Sequence, residues 1–279
     1  MSLEVLSFPN TSTIYKKPKK LIKHYISDLF KLSIITITYN AEAFLERTLQ
    51  SVVRAIEFCS VRPEIEYLII DGKSKDKTLE IAAKYSSIIT KVVSEPDQGL
   101  YDAMNKGQKI ATGDYVWFLN AGDEIHEPQT LYNLFEAFKH NADVYYSDAL
   151  FVNNDGSAVG LRSKVTPHSL PQNLEWQDMK YGMKVCHQAF IAKRNISPQY
   201  DIHNLSADID WEIICLQKAQ KVVFLDFVLC KYLTGGLSTQ KHRKSLTDRF
   251  NVLSKHFGFI PTIFNHIVII VRAVRIFLY

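Results

Sequence analysis

The chain has 279 residues, 47% of them hydrophobic and 22% charged, with a formal net charge of +4. That length suits one large α/β domain or two small ones with a sizeable core. The composition argues against a disordered chain, and the mild charge, with no basic stripe interleaved with aromatics, against a nucleic-acid binder. Cys59, Cys186, Cys215 and Cys230 stand far apart with no CxxC pair, which argues against a disulfide framework or a zinc site and suits a reducing compartment.

The opening MSLEVLSFPN has no basic region followed by an apolar core, so no secretory leader is expected. Residues 1–31 form a basic extension, with Lys16, Lys17, Lys19, Lys20 and Lys23 ahead of Tyr25, Ile26, Leu29 and Phe30. It reads as a solvated arm with a short helix, or as a contact with an anionic membrane surface. Residues 33–38 are β-branched and fit a central strand that ends at Tyr39-Asn40. A helix follows, with Leu45, Leu49, Val52, Val53 and Ile56 at helical spacing. Residues 65–70 form a second strand, which runs into the polar turn Asp71-Gly-Lys-Ser-Lys-Asp-Lys-Thr78 and another helix; residues 88–93 form a third strand. Strand alternating with helix predicts parallel crossovers in one sheet, with ligands beyond the carboxyl ends of the strands.

Residues 94–124 organise the rest. Pro96 and Gly99 break the chain, and Ala103, Met104, Gly107, Ile110 and Ala111 then mark one face of a helix. Gly113 fits a left-handed helix stop. Residues 115–119 are a continuous apolar run, the pattern of a strand covered on both faces, and Asn120, Ala121, Gly122, Asp123 and Glu124 follow at once. Further on, the expectations are a helix over 128–138, a strand over 143–150, a hairpin turn at Asn153-Asn-Asp-Gly156, and an irregular surface segment over 162–184. Then come a strand over 185–191, a helix from 207 to 219, a strand over 222–233 and a loop over 234–239. Residues 241–279 form a helical, amphipathic tail. Its apolar part is interrupted by Pro261, Asn265, His266, Arg272 and Arg275, so it lies in a membrane interface or packs on the body rather than spanning.

SEPDQGLYDAMNKG followed by GDYVWFLNAGDE resembles the family 2 glycosyltransferases, and within them the bacterial branch that builds exopolysaccharide, capsule and lipopolysaccharide. The likeness covers residues 32–240, taken as one domain. It implies an α/β, GT-A-like fold: a mainly parallel central sheet flanked by helices, with a nucleotide-binding half and an acceptor-binding half. The segments TYN and DGKSKDKT match family motifs at Thr38, Tyr39, Asn40, Asp71, Ser74 and Asp76. The resemblance makes these donor contacts, together with Asp97, Asn105 and Asn120. From the residues alone, Asp71 is a hydrogen-bond acceptor for a uracil or ribose, or simply a turn residue of Asp-Gly, and Tyr39 offers a ring for stacking. Ser74, Asp76 and Asp97 are equally good helix caps.

Where the family usually has D-x-D-D, this chain has Asn120-Ala121-Gly122-Asp123. Asp123 is then the one acid left to hold Mg²⁺ or Mn²⁺, which prefer carboxylate oxygens and keep phosphate oxygens in their shell. Glu124 reads as a solvated acid. The E-D-x-x-L element of the family matches residues 207–211, which puts Asp208 on the catalytic acid and leaves Asp210 as second choice. Without the resemblance both are helix N-terminal charges. His187 and Gln188 line the acceptor or donor pocket, and Gly235-Gly236 closes over the diphosphate or is a plain turn. The resemblance implies a metal-dependent, inverting transfer of sugar from a nucleotide sugar, a UDP-sugar first, to a hydroxyl of a glycan or lipid-linked acceptor. The expected place is the cytoplasm, at the inner face of the membrane. The alternative is a catalytically weak nucleotide-sugar-binding or scaffold subunit, since the acidic motif is reduced.

Overall fold

A computed structural model describes residues 30–59, 64–235 and 242–277. The lysine cluster at 16–23 and Gly236 lie outside these residues. The strands are β1 (Leu32–Thr38), β2 (Ile65–Asp71), β3 (Lys91–Ser94), β4 (Tyr115–Phe118), β5 (Glu124–Ile125), β6 (Val144–Tyr146), β7 (Ala149–Val152), β8 (Ala158–Leu161), β9 (Phe190–Lys193), β10 (Val222–Phe224) and β11 (Cys230–Leu233). The helices are α1 (Leu45–Phe58), α2 (Thr78–Lys84), α3 (Leu100–Ile110), α4 (Thr130–Phe138), α5 (Arg162–Val165), α6 (Ala207–Lys218), α7 (His242–Phe257) and α8 (Phe259–Phe277).

Seven strands form the main sheet in the order β10-β6-β9-β4-β1-β2-β3. β1 pairs in parallel with β2 and β4, and β2 with β3, while β9 runs antiparallel to β4 and β6. Leu32, Ile34, Ile35 and all of β4 are buried, as expected of central strands covered on both faces. α3 packs across β1 and β2, with Ala103, Met104 and Gly107 on its buried side. The sheet is thus α/β and mostly parallel, with helices packed on it, as the strand–helix rhythm implied.

Register does the rest of the positioning. Thr38 stands beside Asp71, and Asp71 beside Ser94, so three polar side chains share one row at the carboxyl edge. At the opposite edge Ser33 stands beside Glu66. The buried Glu66 accepts from Ser33 Oγ at 2.5 Å and from the Thr112 amide and hydroxyl at 2.7 Å each. Gly113 belongs to this plug. It is not the left-handed stop that its position suggested: the helix ends earlier, on extended Ala111. A Cβ at Gly113 would lie 2.6 Å from the Ser33 nitrogen, so close approach to β1 requires the glycine.

Several other expectations are corrected. Residues 143–150 and 222–233 each contain two strands divided between sheets, because β5, β11, β7 and β8 form a second, four-stranded sheet. The third strand starts at Lys91 rather than 88. His187–Ala189 is a 3₁₀ turn ahead of β9, not strand. The segment 162–184 is no mere surface loop, since Leu174 and Met179 are buried in it. The hairpin at 153–156 does join β7 to β8.

Candidate functional site

The carboxyl edge of β1, β2 and β3 carries a clasped pair of loops. Asp71 is 1% exposed and accepts four hydrogen bonds: Thr38 Oγ1 at 2.9 Å, the Ser74 amide at 2.9 Å, Ser74 Oγ at 2.5 Å and Ser94 Oγ at 2.6 Å. A carboxylate offers about four lone-pair sites, and all are taken. Burial alone would raise its pKa, but the donors from Ser74, Ser94 and Thr38 outweigh it and hold the group below its ordinary value. Asp71 is therefore not an exposed acid at a strand end.

Asn40 sits at φ 47°, a left-handed backbone that asparagine tolerates. Its amide donates to Ser74 Oγ at 2.8 Å, and its Oδ1 accepts from the Lys75 amide at 2.9 Å. Asp76 accepts from the Glu42 amide at 3.0 Å and from the Thr78 amide and hydroxyl at the start of α2. Ser74 and Asp76 thus act as loop and helix-start braces, one of the two roles open to them.

What this frame leaves open is Tyr39, 64% exposed, beside Asp97. A Cβ at Gly72 would meet Asp97 Oδ2 at 2.3 Å and Tyr39 Cδ2 at 3.2 Å. The glycine therefore lets an acid and an aromatic ring converge over the loop. Asp97 also accepts from the Gly99 amide at 3.0 Å. Asn105 lies elsewhere: its amide bonds the Tyr200 backbone twice, at 2.9 and 2.7 Å. Its hydrogen-bonding groups serve the fold rather than a donor.

Beyond β4 the chain turns at residues 120–123, with the Asp123 amide bonded to the Asn120 carbonyl at 3.0 Å. Asp123 is 4% exposed. Burial pushes its pKa up to about 7, against hydrogen bonds from the Leu233 amide and the Gln188 side chain. The Leu233 contact is 2.9 Å. Asn120 Oδ1 is buried with no hydrogen-bond partner. Two oxygen acceptors in one turn, one of them orphaned, fit a hard divalent cation that takes its other ligands from a diphosphate and water. No cluster of three or more His, Cys, Asp or Glu side chains able to hold a metal occurs among the described residues. Glu124 points away and pairs with Arg54 at 3.4 Å and Lys231 at 3.8 Å.

The acceptor-side acids part company. Asp210 faces α7, where Lys255 Nζ stands 2.8 Å and His256 Nε2 2.5 Å away. That contact consumes its carboxylate, so Asp210 is no base in waiting. Asp208 turns to the other side. Its Oδ1 accepts from the Ile209 amide at 2.9 Å. Burial raises its pKa, and the Ile209 amide, the Tyr101 hydroxyl and the positive charge of Arg249 only partly offset that. The helix dipole therefore does not dominate here, contrary to expectation. The phenol of Tyr232 lies in the field of both Asp123 and Asp208, which ties the two acids to one neighbourhood. Gln188 is buried and its side chain hydrogen-bonds Asp123. His187 does not line a pocket: it is buried among Phe118, Tyr200 and Trp211, bonded to Tyr200 Oη at 2.8 Å, with its pKa lowered to about 3 by burial. Gly235 adopts φ 96° just after β11.

Four residues near the acids escaped the sequence reading: Tyr101, Tyr232, Glu212 and Arg249. Glu212 had a signal, since it follows Asp208 by four residues and so shares its helix face. It is fully buried, and neither carboxylate oxygen has a hydrogen-bond partner. Tyr101 reads as one more apolar position of α3, and nothing in the sequence joins Tyr232 or Arg249 to the site.

A mostly parallel sheet with clasped loops at its carboxyl edge and acids beyond its central strand is the arrangement of a GT-A-type transferase. The profile of Glycosyl transferase family 2 matches residues 33–197, more than half of the chain. The chain belongs to that family. A PGL/p-HBAD biosynthesis glycosyltransferase of Mycobacterium bovis is 30% identical over 220 residues, 74% of this chain and 78% of the relative. An uncharacterized glycosyltransferase of Mycobacterium tuberculosis is 37% identical over 113 residues, 40% of this chain and 42% of that one. Among solved structures, S. aureus TarS in complex with UDP-GlcNAc aligns with TM-score 0.64 and 20% identity over 80% of this chain and 64% of the TarS chain. A mannosyltransferase from Pyrobaculum calidifontis, in complex with GDP-Man and Mn²⁺, aligns with TM-score 0.57 and 14% identity, covering 80% of this chain and 63% of that one. The chain thus spans just under two thirds of each of these structures.

Proposed function

We propose that this glycosyltransferase moves a sugar from a nucleotide-sugar donor, a UDP-sugar first, to a hydroxyl of a glycan or lipid-linked acceptor, with inversion, in bacterial surface polysaccharide synthesis. The observation that carries this reading is the turn after β4, which holds the buried Asp123 and the unpartnered Asn120 Oδ1, together with the donor-side frame built on Asp71. Tyr39 stacks on the base, and Asp97 accepts a hydrogen bond from the base or ribose, above the loop that Thr38, Asn40, Asp71 and Ser74 hold rigid. Asp123 and Asn120 would hold Mg²⁺ or Mn²⁺, which would supply positive charge opposite the departing diphosphate. Gln188 orients Asp123. Asp208 takes the proton of the acceptor hydroxyl. A base works best with a pKa near the operating pH, so the upward shift from burial helps as long as Asp208 stays ionised, which Tyr101 and Arg249 favour. Support for a nucleotide-sugar donor comes from TarS with UDP-GlcNAc and the mannosyltransferase with GDP-Man.

The test is a panel of UDP-, GDP- and dTDP-sugars with Mn²⁺, following thermal shift and release of nucleoside diphosphate. One donor should stabilise the protein and be slowly hydrolysed. Stabilisation without any release, with acceptors present, would favour the binding or scaffold subunit.

A further inference from the structure

The C-terminal helix pair has two unlike faces. α8 packs inward through Thr262, which is fully buried, and through His266, whose ring lies 5.1 Å from that of Phe250 of α7. α7 in turn grips the body. Asp248 accepts from the Leu205 amide at 2.8 Å, the Ser245 carbonyl accepts from Ser206 Oγ at 3.1 Å, and Lys255 and His256 hold Asp210. The pair is a braced element, so what it exposes is presented in a fixed direction.

What α8 exposes is apolar. Phe259, Ile260, Ile263, Phe264, Ile267, Val268 and Val271 all face solvent, Ile260 at 66%. Their spacing places them within one half of the helix circumference. A contiguous apolar stripe of this kind on a folded surface marks an interaction site. Arg272 and Arg275 follow in the sequence of the same helix, toward its C-terminal end. From residue 242 to the last residue, six lysines and arginines stand against one aspartate, and the rest of the chain is close to neutral. The charge of the protein is therefore concentrated where the apolar stripe is. No helix among the described residues is long and apolar enough to cross a membrane.

We propose that the outward face of α8 docks on an anionic lipid surface, lying in its plane with the apolar stripe among the acyl chains and the basic residues at the headgroups. An exposed apolar face on a helical segment with a net basic charge is the pattern of an in-plane interfacial helix. A second copy of this chain fits less well, because a two-fold contact sets the same basic segment against itself. Anionic lipid meets both properties at once.

The experiment is vesicle co-sedimentation of the full chain on phosphatidylcholine alone and on phosphatidylcholine mixed with phosphatidylglycerol, at low and high salt, with light scattering of the free protein. The wild type should bind the anionic vesicles, bind neutral ones far less, and release with salt. The doubly exposed variant Ile260→Ser, Phe264→Ser should melt at the wild-type temperature, because both side chains stand in solvent, and should lose at least about tenfold in vesicle affinity. Equal binding of variant and wild type would overturn the proposal. So would a wild-type dimer that fails to bind vesicles and that the variant converts to monomer. The readout is binding, so it stands or falls separately from transfer activity.

Discussion

Two sets of buried carboxylates in this chain have opposite surroundings. Asp71, at the carboxyl edge, and Glu66, at the other end of β2, are each wrapped by hydroxyl and amide donors, and each is held below its ordinary pKa although burial pushes the other way. Asp123 and Glu212 are buried and Asp208 half-buried, with too few donors, and desolvation wins: all three are raised. A saturated carboxylate has nothing left to offer a ligand and serves the frame. An undersaturated one has acceptor capacity that a cation, an acceptor hydroxyl or a proton can fill. The donor half is therefore rigid before the donor arrives, and the transfer half is completed by its ligands.

The largest break in this comparison comes at Asp208. Asp208→Asn removes the group that takes the proton, so turnover should fall roughly 10²- to 10⁴-fold while the donor dissociation constant holds. Stopped assays alongside donor titration calorimetry check both. An active Asp208→Asn enzyme places the base elsewhere.

Asp71→Ala attacks the saturated side. Four donors lose their acceptor inside the protein, which should cost about 2–3 kcal/mol, or roughly 5–10 °C in melting temperature for a chain of this size. The fold should survive, and nucleoside diphosphate affinity should drop because the Tyr39 and Gly72 loops loosen. Lost affinity with an unchanged melt would make Asp71 a direct ligand and the frame a misreading. The pH dependence has a definite sign. A carboxylate held low stabilises the fold above its ordinary pKa and loses that contribution as pH falls through the folded value.

Asp123 behaves in the reverse sense. Its folded pKa of about 7 lies above the unfolded one, so its ionisation costs stability as pH rises from about 4 towards 7. A cation needs the ionised form. Mn²⁺ affinity should therefore climb about tenfold per pH unit below 7, level off above it, and release a proton on binding. Calorimetry in buffers of different ionisation enthalpy reads the proton directly. Asp123→Ala should erase both the slope and the cation-dependent part of donor affinity.

Much of this was legible in the sequence because local pattern and tertiary role agree there. The apolar runs of β1, β2 and β4 are central strands, and the acids after them do stand at the sheet edge. The transfer half was harder, since its elements meet only through tertiary packing. Residues 143–150 and 222–233 look like single strands because nothing local marks where a chain changes sheets. The Leu233 amide reaches Asp123 from β11, over a hundred positions away, and the charge of Arg249 acts on Asp208 from α7. Gly113 shows a subtler failure, in which the residue was picked out correctly but for backbone freedom rather than for its missing side chain.

Asp210 gives the smallest effect and the sharpest control. It sits two residues from Asp208 on the same helix, yet its carboxylate is spent on Lys255 and His256 of α7. Those contacts hold it below its ordinary pKa against the burial that would raise it, which makes it a third member of the saturated set. Lys255 is mostly exposed, so water replaces much of what Asp210→Asn removes, and the asparagine oxygen still accepts one hydrogen bond. The cost should be no more than about 1 kcal/mol, a shift of roughly 2–4 °C, with turnover within about twofold of wild type. The stability difference from wild type should shrink as pH falls below the ordinary aspartate range, where the native carboxylate is itself protonated and the pair is lost. Melts across pH, run beside turnover assays, measure both. If Asp210→Asn is the dead enzyme and Asp208→Asn the active one, then a carboxylate already paired is the base, and donor saturation does not separate frame from function.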